Sequence, residues 1–150
     1  MRKWQIIASI LTFLVVSSEA QAGDGEDVLA YMDGVYTAVN ASDWDTLVHF
    51  LSQSPRYDEN GGLLRTVDPE ASLAWLKSSG VELNIRPSHQ NVDVYGNAAV
   101  FTCYETIQRT FPNEEPWNAT LRITVVLAKI KGDWKHVHVH VSHLTPVNPE

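Results

Sequence analysis

Residues Lys131 to Pro146 read KGDWKHVHVHVSHLTP, and the reading of this stretch decides the fold. A Gly-Asp turn delivers Trp134 into a strict alternation. Successive side chains of a strand point to opposite faces, so His136, His138, His140 and Ser142 share one face. Lys135, Val137, Val139, Val141 and His143 share the other. A strand launched from so tight a turn has its antiparallel partner immediately before it, here the apolar-rich run Trp117 to Ile130.

Period two continues upstream. Ala98 to Thr110 reads as a further strand, and the loop Pro112 to Pro116, carrying Glu114 and Glu115, joins it to Trp117. Gly96-Asn97 turns the chain into it from Val81 to Tyr95, where Pro87 suits an edge strand or a bulge. Before Gly80 the period is helical. Val28, Met32, Val35, Tyr36 and Val39 predict one amphipathic helix from about Asp24 to Asn40. Ser42, with Asp45 three residues on, makes a capping-box-like start for a second helix. Its stripe is Trp44, Leu47, Val48 and Leu51, and the polar, turn-rich Ser54 to Gly62 ends it. A third helix has Asp68 as N-cap, Pro69 at the first position and Gly80 at the end, with Leu73, Trp75 and Leu76 as its packing face. Three N-terminal helices followed by a meander of long strands predict an α+β fold, with the helices packed on one face of a curved antiparallel sheet.

The N-terminus carries a different signal. Arg2 and Lys3 precede an apolar run from Ile6 to Val16, and Ala20-Gln21-Ala22 supplies small residues for a signal peptidase. The run is shorter than the about 20 apolar residues a spanning helix needs. These features predict a cleaved signal peptide over residues 1–22, a domain over 23–150, and export to the periplasm or beyond. The whole chain has a net charge of −7. Loss of Arg2, Lys3 and Glu19 leaves it more acidic still, which argues against nucleic-acid or anionic membrane-surface partners. Cys103 is the only cysteine, so no intramolecular disulfide forms, and a lone strand cysteine reads as a small buried hydrophobe. Asn40-Ala41-Ser42 and Asn118-Ala119-Thr120 fit the glycosylation pattern and read as coincidence in a bacterial-type exported chain.

Several of these segments carry a resemblance. Ala41-Ser42-Asp43-Trp44-Asp45 opens the second helix, and Asn91 to Ala99 spans the turn between the first long strands. Gly132-Asp133-Trp134 runs on to Val137-His138-Val139-His140 and Ser142. Together they resemble the nuclear-transport-factor-2-like (cystatin-like) superfamily, its SnoaL-like branch, and the association (hub) domain of calcium/calmodulin-dependent protein kinase II. The resemblance spans about Asp24 to Pro146. It implies that the sheet wraps a conical pocket against the helices and that its convex face forms a homodimer. It further implies that Val137, Val139 and Val141 face the pocket and that the histidine row faces outward. Ile123, Val125 and Leu127 would line it from the preceding strand, and Phe101, Cys103, Glu105 and Ile107 from the one before. A bulge would reverse part of this, because one extra residue flips every later side chain. The three pocket arginines of the hub domain correspond to Glu105, Val125 and Val141, which points to an apolar rather than an anionic ligand.

Three groups are candidates for chemistry. Glu105 stands among apolar neighbours, where desolvation would raise its pKa into the range of a general acid or base. The alternative is that it pairs with Arg109 or Arg122, or faces away. Glu59, beside Tyr57 and Asp58, falls by resemblance where ketosteroid isomerases carry a catalytic aspartate. The matching helix-one tyrosine falls at Val35, with Tyr36 one place off, and residues 58–62 also read as a plain solvated turn. The histidine row, with His49 or His89, could chelate a metal, but an outward row suits a dimer contact better. Trp75 and Trp117 are candidates for the pocket and its mouth. The leading expectation is an exported SnoaL-like domain that binds a small, largely apolar molecule through Tyr57, Trp75, Phe101, Cys103, Ile123, Val125, Val139 and Val141. A cofactor-independent isomerase, cyclase or dehydratase using Glu59 or Glu105 is the first alternative, and a dimeric structural module the second.

Overall fold

A computed structural model describes the backbone of residues 18–51, 56–60 and 65–144, and the side chains of 23–51 and 68–144. The signal-peptide expectation falls largely outside those residues. Helix α1 runs from Ser18 to Asn40, α2 from Trp44 to Leu51 and α3 from Pro69 to Ser79. Strands β1 (Arg56–Asn60) and β2 (Arg65–Val67) are short. The long strands are β3 (Glu82–Tyr95), β4 (Ala98–Thr110), β5 (Trp117–Ile130) and β6 (Asp133–His143). They form one sheet in the order β2-β1-β6-β5-β4-β3, with β1 parallel to β6 and the other neighbours antiparallel. No described helix is long and apolar enough to cross a membrane.

Local chemistry explains most of the boundaries. Asp68 Oδ1 accepts from the Glu70 and Ala71 amides at 2.9 and 3.2 Å, Pro69 opens α3, and Gly80 closes it with φ +64°. A left-handed residue there costs little only without a Cβ. At α2 the cap is Asp43 rather than Ser42. Asp43 Oδ1 accepts from the Thr46 amide at 3.1 Å, whereas Ser42 takes φ +53° in the turn before it. Trp75 corrects a second expectation: it is 53 % exposed, with its ring edge-to-face with that of Phe111. Leu73 and Leu76 carry the α3 contact instead. A third correction concerns residues 54–62, expected to be turn, because Arg56–Asn60 pairs with β6.

The core has two parts. Val28, Met32 and Tyr36 of α1 pack on the concave face of the sheet, against Ala99, Phe101, Cys103, Leu121, Ile123, Val125 and Leu127. Val35, Ala38 and Val39 pack instead on Trp44, Leu47 and Val81. Asn40 ties the end of α1 to the sheet: its amide donates to the Ile85 carbonyl and its oxygen accepts from the Ile85 amide, at 2.9 and 2.7 Å. That side chain is therefore engaged within the fold.

Two bulges set which residues face the helices. β3 is the edge strand, and its register slips by one residue between Ser88 and Asn91, next to Pro87. In β6, Leu127 pairs with His136 but Val126 pairs with His138, so Val137 is an extra residue. Leu127 is buried on the inner face, and so is His136. After the bulge, Val139 and Val141 lie opposite Val125 and Ile123, also on the inner face, while His138 and His140 lie opposite Val126 and Thr124 on the outer one. The histidine row is thus divided. His136 faces inward and Val137 does not line the cavity, because an inserted residue reverses the parity of all that follows.

Candidate functional site

The concave face of the sheet and the three helices line an open-mouthed cavity of ≈ 260 Å³. Helix α1 contributes Met32, Val35, Tyr36 and Val39, and α2 contributes Leu47, Val48 and Leu51. Pro69, Ser72 and Leu76 of α3 close another side. The sheet supplies Ile85, Glu105, Ile123, Val125, His136, Val139 and Val141. Most of this wall is hydrocarbon. Its polar groups are concentrated in Tyr36, Ser72, Glu105 and His136.

Glu105 is 8 % exposed, and the Tyr36 hydroxyl donates to its Oε1 at 2.7 Å. Burial disfavours the charged form and holds the carboxyl above the usual carboxylate range, while the bond from Tyr36 offsets part of that rise. Tyr36 is itself held well above the ordinary phenol value, first by burial and then by the negative charge of Glu105. It acts as a hydrogen-bond donor, not as a base. The Tyr36 oxygen also lies 3.4 Å from Cys103 Sγ. Burial pushes the Cys103 thiol up to about 11, so its S–H stays on and donates to Tyr36, which donates in turn to Glu105. Burial, only partly offset by the contact with Tyr36, disfavours the thiolate, and the thiolate is the reactive form of a cysteine.

His136 occupies a second polar position in the wall. Its Nε2 lies 3.2 Å from Met32 Sδ, and its ring meets Tyr31 edge-on at 5.3 Å between centroids. Met32 and Tyr36 are one turn apart on α1, so that helix contacts His136 of β6 and Glu105 of β4 from neighbouring turns. Among the described residues, no group of three or more His, Cys, Asp or Glu side chains is placed to hold a metal ion.

A helical layer on a strongly curved antiparallel sheet around such a cavity matches a known family. The family model described as a SnoaL-like domain covers residues 28–147 of the chain. The chain belongs to the SnoaL-like domain family. Solved structures agree on the fold of this SnoaL-like domain. A candidate dehydratase of the nuclear-transport-factor-2-like family from Streptomyces avermitilis is 18 % identical, covering 83 % of this chain and 99 % of that one, with a TM-score of 0.69. A nuclear-transport-factor-2-like protein of unknown function in nutrient uptake from Rhodospirillum rubrum is 20 % identical, covering 79 % and 99 %, with a TM-score of 0.68. The calcium/calmodulin-dependent kinase II hub of S. rosetta is 20 % identical, covering 80 % and 96 %, with a TM-score of 0.64. At these identities the likeness is one of fold. Among curated proteins none matches the chain by sequence.

The SnoaL-like domain brings together part of the expected site. Glu105, Ile123, Val125, Val139 and Val141 line the cavity. Phe101 and Cys103 share their face but sit in the core beneath it, and Leu127 is likewise fully packed. Trp75 lies outside the cavity, against Phe111. Tyr57 and Glu59 belong to β1, at the register of His138 and His140, and their side chains lie outside the described residues. Glu105 pairs with neither Arg109 nor Arg122: Arg109 lies over aromatic rings, and Arg122 is on the outer-face register of β5. Sequence reasoning missed the partnership with Tyr36. Its signal was present in two halves, a tyrosine within a buried helical stripe and an acid alone on an apolar strand, each needing a polar partner.

Proposed function

We propose that this SnoaL-like domain binds a small, largely apolar molecule in its cavity, holding one polar group of that molecule against Glu105 and Tyr36. The observation that supports this reading is an apolar wall with a single hydrogen-bonded acid–phenol pair set into it. Such a composition favours a hydrocarbon body and fixes its orientation through few polar contacts. A volume of ≈ 260 Å³ lies just below the about 300–1,000 Å³ of ordinary ligand pockets, which favours a small ligand. The basic, apolar and A-x-A segments of residues 1–22 support export. The mixed outer sheet face, with His138, His140, Thr124 and Val126, supports a homodimer across that face. Native mass spectrometry of the protein purified from its own host tests the dimer and the ligand together. The expected result is a dimer carrying a small adduct that is lost on denaturation. Bare protein that also fails to bind 1-octanol would refute the ligand reading.

The Glu105–Tyr36 pair favours a second reading, a cofactor-independent proton-transfer enzyme. The ionised Glu105 carboxylate, made a stronger base by burial, can take a proton from carbon alpha to a carbonyl and return it elsewhere, with the Tyr36 O–H turning from Glu105 to the substrate oxygen as electrophilic donor. The overall change is redox-neutral. Isomerisation, cyclisation and dehydration share that step, and the Streptomyces avermitilis protein is described as a candidate dehydratase. Exchange of the alpha protons of 2-octanone in D2O, followed by NMR, separates the readings. Acceleration by wild-type protein that is lost in Glu105→Gln supports catalysis, and exchange at the buffer rate leaves binding alone.

A further inference from the structure

We infer that the ligand of the cavity carries a primary ammonium, held by Glu105, on an apolar body that occupies the rest of the space. The inference rests on the ligand-binding reading above and names the polar head of that ligand. Glu105 lines the cavity, and more than nine-tenths of its surface is buried. Its Oε1 is engaged by the Tyr36 hydroxyl at 2.7 Å. Its Oε2 accepts from no described residue, yet it is not sealed in the core as Trp134 Nε1 is, so it is open to the cavity.

The hydrogens of the wall are committed within the protein. The Tyr36 O–H goes to Glu105, and the Ser72 O–H goes to the Asp68 carbonyl at 2.7 Å. The Cys103 thiol lies against Tyr36 at 3.4 Å. His136 directs Nε2 at Met32 and sets its ring against Tyr31. At Glu105 a ligand therefore meets a free acceptor, and Ser72 Oγ keeps lone pairs to accept as well. An ammonium matches that wall, because it carries three donors and no acceptor.

Charge points the same way. Among the described residues that line the cavity there is no Lys or Arg, and no described base forms an ion pair with Glu105. The chain as a whole is at −7. Such a site draws a cation, and a cation beside Glu105 favours the ionised form that burial disfavours. A carbonyl head could bond only to the protonated acid, without any gain from charge. A carboxylate head would meet a like charge. Only the ammonium gains both the hydrogen bond and the ion pair.

Titration calorimetry at neutral pH with octylamine, 1-octanol and octanoate tests the assignment on the wild-type protein, Glu105→Gln and Val139→Phe. Octylamine is expected to bind wild type about tenfold or more tighter than 1-octanol, the scale of one charge-assisted hydrogen bond, and octanoate more weakly than 1-octanol. Glu105→Gln removes the charge at nearly the same shape and should erase the gap between octylamine and 1-octanol, with cooperative urea unfolding as the check on its fold. Val139→Phe, which fills the cavity, should abolish the binding of both. Octylamine binding to wild type no tighter than 1-octanol, or octanoate binding tighter than 1-octanol, would overturn the ammonium head and leave the cavity reading intact. An amine preference undiminished in Glu105→Gln or Val139→Phe would assign it to the acidic surface and overturn the inference as well. Failure of every probe to bind wild type would overturn the cavity reading and the ammonium head together.

Discussion

Replacing Tyr36 with Phe removes one oxygen from the cavity wall, and its cost should grow with pH. The Tyr36 hydroxyl donates to Glu105 at 2.7 Å, and Glu105 is almost fully buried. Because burial raises the folded-state pKa of Glu105, the folded protein holds a proton that the unfolded chain has released. The stability from this group is full below the unfolded value of about 4.3 and is lost as pH rises through the folded value. A bond from the phenol to a neutral carboxyl is worth about 0.5–1.5 kcal/mol, and one to an ionised carboxylate about 1.5–3 kcal/mol. Tyr36→Phe should therefore cost about 0.5–1.5 kcal/mol at pH 4.5 and about 1.5–3 kcal/mol at pH 8.5. Urea unfolding at fixed protein concentration, followed by the fluorescence of buried Trp44 and Trp134, measures this. In the Glu105→Gln background the rise with pH should vanish. An equal cost at both pH values in the Glu105 protein would refute the coupling.

Further outcomes follow from the packing. Val139→Phe fills the cavity and should abolish 1-octanol binding in calorimetry while shifting stability by no more than about 1–3 kcal/mol; retained binding would place the ligand elsewhere. Asp68→Ala removes the acceptor for two backbone amides of α3 and should cost about 1 kcal/mol in urea unfolding. Gly34→Ala would bring its Cβ to 2.6 Å from the Phe50 ring. Crowding of Phe50, whose carbonyl holds the Tyr31 hydroxyl, should outweigh the gain in helix propensity and leave a net loss of about 1 kcal/mol. A stabilised Gly34→Ala protein would show that Phe50 moves freely.

How much of the molecule was legible varies with the range of the interaction involved. The Asp68-Pro69 start and Gly80 end of α3 were readable because caps and left-handed residues act within a few positions of each other. The stripe from Val28 to Val39 and the alternation in the long strands were readable for the same reason. Ser42 was mistaken for the α2 cap because Ser42 and Asp43 are both good caps, and only the backbone conformation chooses between them. The strand at Arg56–Asn60 was missed because it is polar and forms by joining the edge of β6, a partner roughly eighty residues away in the chain.

The last strand illustrates the division most clearly. By itself the sequence determined that Trp134 to Leu144 holds a strand, that Lys131-Gly132-Asp133 turns into it, and that the chain takes the SnoaL-like fold. Alternation within a strand is a local property, so composition records it. Only the tertiary structure decided where Val137 bulges out, because the register is set by pairing with β5 and by the shape of the core beneath. That one residue turned His136 inward to Met32 while leaving His138 and His140 outside. The meeting of Tyr36 with Glu105, 69 residues apart in sequence, was decided in the same way, by the curvature that folds the sheet over α1.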